Sequence, residues 1–318
     1  MGKETIILKP MKTTVYTHPS GLSHDTGPTH AESIARLETI LALLKEEPFS
    51  QLPIIDAIAA TEEQILRAHH FNYFEKVLET LPDQGHVNID SDTVLSPGSW
   101  KAALHAAGAV CQAVDDIAAG KTTRAFCAMR PPGHHAEPHQ SMGFCLFNNI
   151  FIGARQAQEI HGVEKIAIVD FDVHHGNGTD YMTRRHDGSI LFISTHQSPL
   201  WPMTGLEDDN DDTVMNFTLA PETGSAECRA LYEKKVFPEL EDFAPDLLMI
   251  SAGFDAHKAD PLAQLNWEVD DYAWLTKKLS DIADKYCDGK IVSVLEGGYN
   301  LDALSTCLAA HLKGLAKI

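Results

Sequence analysis

What this 318-residue chain lacks removes whole classes of protein. No apolar run approaches the roughly eighteen residues that a membrane-crossing helix needs. The opening MGKETIILKPMKTTVYTH has neither the apolar core nor the small-residue cleavage site of a secretory signal. The six cysteines, Cys111, Cys127, Cys145, Cys228, Cys287 and Cys307, include no CxxC pair and sit mostly inside apolar segments, as buried reduced thiols do. Lys and Arg are scarce, 25 against 45 Asp and Glu, for a formal net charge of −20. Without basic clusters to neutralise phosphates, binding to nucleic acid is not expected, and a cationic or neutral substrate suits the charge better. No repeat, low-complexity tract or linker-like stretch divides the chain. Together these absences predict a soluble, cytoplasmic, single-domain protein with neither a membrane nor a nucleic-acid partner.

What is present is organised. With 44% hydrophobic residues the chain can build a large core, and the apolar residues fall in short runs that stop at polar, glycine or histidine residues. TTVYTHPS (13–20), RAFCAMRPPGHH (124–135), KIAIVDFDVHH (165–175), SILFISTHQ (189–197), DLLMISAGFDAH (246–257) and KIVSVLEGGYN (290–300) read as strands of a parallel sheet covered on both faces. Helical patterns lie between them. Thr29 to Glu32 has capping-box spacing ahead of Ile34, Leu37, Leu41 and Leu44, Thr61 to Gln64 opens TEEQILRAHHFNYFEKVLE in the same way, and an Ala-rich helix runs from Ser99 towards Gly120. This alternation predicts an α/β fold with a central, mostly parallel sheet flanked by helices.

In such sheets ligands bind at the carboxyl ends of the strands, where the runs GHH, DFDVHH, GFDAH and EGGYN end here. In DFDVHH an extended backbone turns Asp170, Asp172 and His174 to one side, with Phe171 and Val173 packing away. Two carboxylates and an imidazole match a divalent ion with open positions, and Asp255 is a further candidate ligand. Taken singly, an Asp reads as a helix cap and a His as a hydrogen-bonded core residue. As a set at strand ends, Asp172, His174, Asp255, His134, His135 and Tyr299 read as an active site.

RPPGHHAEP (130–138), GFCLFNN (143–149), DFDVHHGNGT (170–179), STHQSP (194–199), SAGFDAHKADPL (251–262) and LEGGYNL (295–301) together resemble the motif series of zinc-dependent histone deacetylases and acetylpolyamine amidohydrolases. The style is closest to the class II-like bacterial members. The resemblance implies an arginase-like catalytic domain over 13–318, with 1–12 a disordered extension. It implies zinc on Asp172, His174 and Asp255, with Asp170 pairing with His134 and contributing with Ser194 to a structural potassium site. It further implies His135 as general base oriented by Asn177, His134 as its electrostatic partner, and Tyr299 as oxyanion donor. Gly143, Phe144, Trp201, Leu262 and Gly298 are implied along a substrate tunnel and Asp92 at its rim. Phe144 and Trp201 also read as plain core aromatics.

The expected reaction is hydrolysis of an acyl amide on a primary amine, with acylated lysine or an acylated polyamine as substrate. A two-manganese ureohydrolase and a silent acyl-lysine binding module are the competing readings, and a homo-oligomer is compatible with the resemblance. The acidic stretch 207–212, EDDNDD, reads either as a solvated loop or as a rim that attracts cations.

Overall fold

Apolar side chains on both faces of consecutive strands need cover on both sides, and that requirement sets the architecture. The computed structural model describes residues 12–318. The extension expected over residues 1–12 therefore falls, apart from Lys12, outside the described residues. The strands are β1 (Thr13–Thr17), β2 (Ile54–Asp56), β3 (Val87–Asn88), β4 (Val94–Leu95), β5 (Arg124–Cys127), β6 (Ile166–Asp170), β7 (Ile190–Gln197), β8 (Val214–Leu219), β9 (Leu247–Ala252) and β10 (Ile291–Leu295). Eight of them form one sheet in the order β2-β1-β5-β10-β9-β6-β7-β8, and every pairing in it is parallel. β3 and β4 make a separate antiparallel hairpin.

The alternation along β6 shows how the layers form. Ile166 and Ile168 enter one core with the helices Ser99–Ala118 and Asn149–His161. Ala167, Val169 and Phe171 enter the other with the helices Val269–Tyr286 and Leu301–Ala316. β9 divides in the same way, Leu248 and Ile250 against Leu247 and Met249. No described helix is long and apolar enough to cross a membrane.

All six expected strands are present, and the helix from Ser99 ends at Ala118, with Gly120 beyond it at φ +68°. Two expectations fail locally. The first helix starts at Ile34 behind Ser33, and Glu32 is not a capping partner of Thr29. It is fully buried, with its carboxylate held by Arg36 and Arg130. The Thr61 capping box does form, but its helix stops at Leu66 and a second runs from Phe71 to Thr80. His69 lies in the break, where Nδ1 donates to Glu137 O (3.0 Å) and Nε2 accepts from Asn148 N (2.8 Å).

Because β5, β10, β9 and β6 are neighbours in that order, the segments following them meet at the middle of one sheet edge. In sequence the ends of those strands are spread from Cys127 to Leu295.

Candidate active site

β6 ends at Asp170, and residues 172–174 turn in bends rather than continuing extended. The side chains still divide as expected. Phe171 packs on Phe254 and Tyr272, and Asp172 and His174 turn to the other side and meet Asp255. His174 Nδ1 lies 3.1 Å from Asp172 Oδ1 and 3.2 Å from Asp255 Oδ2.

Backbone donors hold both carboxylates in place. Gly297 N–H donates to Asp172 Oδ2 (2.7 Å) and Val173 N–H to Asp255 Oδ1 (3.0 Å), leaving the remaining oxygen of each to face the imidazole. Gly297 is required here, because a Cβ on it would stand 2.1 Å from Asp255 Oδ2.

One ligand atom from each of the three residues lies within 4.8 Å of the others, and all three residues are buried. Three lone-pair donors at this spacing repel one another unless a positive charge lies among them. The protein can supply only a proton. Although burial opposes it, hydrogen bonds donated to Asp172 and Asp255 raise His174 to about 10, and burial with the charge of Asp172 raises Asp255 to about 7. A divalent cation meets the same need without competing protonation, so the donor set fits a metal of the zinc type.

Two histidines stand beside this group with rings 3.9 Å apart. His134 Nδ1 is 2.9 Å from Asp170 Oδ2, and His135 Nδ1 is 2.8 Å from Asn177 Oδ1. Burial works against the charged form of both. For His134 the charges of Asp170, Asp172 and Glu296 prevail and raise it to about 10; for His135 burial and the neighbouring His134 and His174 drive it well below its ordinary value. The first therefore carries a proton at neutral pH and the second does not.

Tyr299 is held from three sides. Its N–H donates to Asp260 Oδ2 (2.7 Å), the Arg36 guanidinium lies 5.0 Å from the ring centre, and Phe144 meets the ring edge to face at 5.9 Å. Gly298 before it has φ +121°, a region open to glycine. Burial and the Asp255 charge push the phenol well above its usual range, so it remains a donor.

Trp201, 38% exposed, stands 4.8 Å from the His135 ring. Gly143 fits between these two groups at φ +57°, where a Cβ would come 2.3 Å from His135 Cδ2 and 2.6 Å from Trp201 Cη2. Phe144 also has positive φ, and His30 meets its ring edge to face at 4.7 Å. Asp92, partly exposed, accepts through Oδ1 from Gly143 N–H (3.1 Å), which ties this carboxylate to the wall. Leu262 is half-buried, its N–H donating to Asp260 Oδ1 (3.0 Å), and is linked to Tyr299 through that carboxylate.

Asp170 and Ser194 are register partners on β6 and β7. Ser194 Oγ lies 2.9 Å from His196 Nδ1, and Asp170 Oδ1 accepts from Asp172 N–H (3.1 Å).

Residues 30–315 match the family described as "Histone deacetylase domain". The chain belongs to the histone deacetylase family. A solved structure titled "Crystal Structure of HDA15 HD domain" superimposes with a TM-score of 0.91 at 32% identity, covering 97% of this chain and 89% of that one. The chain is 36% identical to a "Histone deacetylase-like amidohydrolase" of Pseudomonas aeruginosa, over 91% of this chain and 77% of that protein. It is 36% identical to "Type-2 histone deacetylase 2" of Dictyostelium discoideum over 96% of its own length, but spans 21% of that much longer protein.

In this histone deacetylase-family domain, several residues that hold the site were not singled out from the sequence. Glu296 is buried and accepts from Gly133 N–H (2.7 Å) and His134 N–H (3.1 Å), fixing the loop that carries both histidines. Arg36 donates to Gly298 O (2.7 Å) and Glu296 O (2.5 Å), and Arg130 donates to Gly21 O (2.7 Å). Between the two arginines Glu32 is held near 2 despite burial. The i,i+4 spacing of Glu32 and Arg36 is the one local sign of this clamp.

Proposed function

We propose that this domain is a zinc-dependent amidohydrolase that removes an acyl group from a primary amine, with acetyl-lysine in a peptide or protein as its substrate. The observation that carries the reading is the convergence of Asp172, His174 and Asp255 around one point, beside His134 paired with Asp170, His135 paired with Asn177, and the phenol of Tyr299.

Asp172, His174 and Asp255 would hold the zinc, which supplies Lewis-acid polarisation of the amide carbonyl and makes water a usable nucleophile at neutral pH. His135 accepts a proton from the attacking water and returns one to the leaving amine. His134, kept charged by Asp170, offsets the negative charge that develops nearby. Tyr299 donates its hydroxyl hydrogen to the oxyanion. Phe144 and Trp201 exclude water around the methylenes of the lysine stem, whose apolar length suits aromatic walls. Asp170 and Ser194 would contribute to a potassium site beneath the base of the site.

Ion pairs within the acidic stretch support its reading as a structural loop. Glu207 pairs with Lys235 (3.1 Å) and Asp211 with Arg184 (2.8 Å).

A panel of acetyl-lysine peptides, acetylated polyamines and longer acyl-lysines on zinc-loaded protein tests the proposal. The expected result is turnover of acetyl-lysine peptide that chelator abolishes and zinc restores. Absence of turnover on every acyl amine, or turnover that chelator leaves intact, counts against it.

A further inference from the structure

The loop that carries the two histidines continues to Glu137, a carboxylate that no step above uses. Glu137 is pinned within its own segment. Its N–H donates to Gln140 O (3.0 Å), its carbonyl accepts from His69 Nδ1 (3.0 Å), and Oε2 accepts from Gln140 Nε2 (3.0 Å). The other oxygen, Oε1, accepts from Asn177 Nδ2 at 3.0 Å. Nδ2 also lies 3.3 Å from the His135 carbonyl and 3.3 Å from Met142 Sδ. Asn177 Oδ1, at the other end of the amide, is the partner of His135 Nδ1 at 2.8 Å. Glu137 and Asn177 together line a cleft of about 410 Å³ that also contains His175, Asp180 and Arg184.

A carboxamide has two ends of nearly equal shape and opposite hydrogen-bonding sense, so its neighbours decide which end points where. With Oδ1 towards His135, Nδ1 must carry the ring proton and Nε2 keeps its lone pair. If the amide turned over, Nδ2–H would point at Nδ1, and the ring would hold its proton on Nε2, where a base needs its lone pair. The His135 carbonyl and a thioether oppose that flip weakly. Glu137 opposes it strongly, because the flipped amide would set Oδ1 against a carboxylate oxygen at 3.0 Å.

We propose that Glu137 is a positioning residue that locks the Asn177 amide and thereby keeps His135 in the Nδ1–H tautomer with Nε2 free. This rests on reading His135 as the general base. The arrangement supplies orientation through an anion while a neutral group touches the imidazole. An aspartate in direct contact with Nδ1 would orient the ring too, but it would also favour the imidazolium, which cannot act as a base. The amide carries no proton between Glu137 and His135; its work is geometric.

The test uses the zinc-loaded protein carrying Glu137→Ala, Glu137→Gln or the pair Glu137→Ala with Asn177→Asp. Glu137→Ala is expected to lower kcat about tenfold to a hundredfold, the scale for partners that orient a working group, with KM moving less than about twofold. Glu137→Gln still offers an oxygen to Asn177 Nδ2 and should regain most of that loss. The double variant should return a single Nδ1–H tautomer, because the two oxygens of an aspartate leave no wrong orientation, while its kcat profile moves to higher pH as the imidazolium is favoured. Nitrogen-15 NMR of the imidazoles should show one Nδ1–H tautomer of His135 in the parent protein and a tautomer mixture in Glu137→Ala. If Glu137→Ala does not fold, Glu137→Met, similar in length and a poor acceptor, takes its place with the same expectations. Parent-like kcat with an unchanged single tautomer overturns the proposal. So does a loss that Glu137→Gln does not recover, or a tautomer mixture that persists in the double variant. A parent protein that hydrolyses no acyl amine sinks the functional reading instead, and the tautomer comparison still judges Glu137.

Discussion

His134 and His135 are chain neighbours with touching rings, yet their surroundings drive them to opposite protonation states. His134 faces the buried carboxylate of Asp170, and the charges around it raise it to about 10. His135 faces the neutral amide of Asn177 and is lowered by burial and by the cations beside it. The lesson is that residue type and sequence position do not set the role; the partner on the far side of each ring does. Asp170 belongs to the end of β6 and Asn177 to the first turn of the helix that follows, so one short segment supplies both partners.

The sharpest way to break this comparison is to delete each ring in turn and score two properties. His135→Ala should cost about a hundredfold to ten-thousandfold in kcat, the range for a general base, with a stability loss of about 1 kcal/mol for its hydrogen bond. His134→Ala leaves Asp170 as an uncompensated buried charge, so it should be the more damaging to folding, about 3 kcal/mol by chemical denaturation, and the less damaging to kcat. If both variants rank in the same order on both measurements, the two histidines do not have separate roles.

Tyr299→Phe sharpens the comparison by testing a third protonated group. Its kcat should fall roughly a hundredfold with zinc content unchanged, the scale of one lost oxyanion donor. Full activity in that variant would remove Tyr299 from the reaction.

A smaller effect extends the contrast to histidines that serve only the fold. In His311, Nδ1 lies 2.7 Å from Thr276 Oγ1 and Nε2 2.9 Å from Ser293 Oγ, and burial lowers it to about 3. Burial likewise lowers His69 to about 3. A histidine with a depressed folded value binds its proton more readily when unfolded. Its contribution to stability is therefore present above the unfolded value, near 6.5, and is lost as pH falls towards 3. The stability that parent protein holds over His311→Gln should shrink between pH 6.5 and 4, while NMR shows His311 still neutral at pH 5. A His311 ring that titrates near 6.5 would contradict the assignment.

The smallest expected change is at the acidic stretch. Asp208→Asn with Asp212→Asn should alter kcat/KM on a basic peptide by less than about twofold at any ionic strength, if the loop is structural rather than a steering rim. A large loss confined to low salt would favour steering.

How much of this was legible in the sequence depended on distance along the chain. Asp172 and His174 could be read from one pentapeptide, and the strand ends were visible because each apolar run stops abruptly. Asp255 entered as part of SAGFDAH, at another strand end. By contrast, Glu32 looked like a capping partner because its local spacing with Thr29 allows that role. Only the fold reveals Arg130, about a hundred residues away, closing on it. His69 sat inside an apparently continuous helical pattern, and its bonds to Glu137 and Asn148 end that helix. Glu137 showed no signal of its own, since its partner Asn177 is distant in sequence. Local chemistry announces ligands, whereas the residues that hold them emerge from contacts that a linear reading does not contain.

Zinc titration of metal-free protein, followed by calorimetry and elemental analysis, tests the central claim most directly. Three buried acceptors sharing a position for a cation predict about one tightly held zinc per chain, with protons released on binding, and loss of that binding in Asp172→Ala and Asp255→Ala. Equal zinc uptake by the parent protein and both variants, or two tightly held ions per chain, would contradict it.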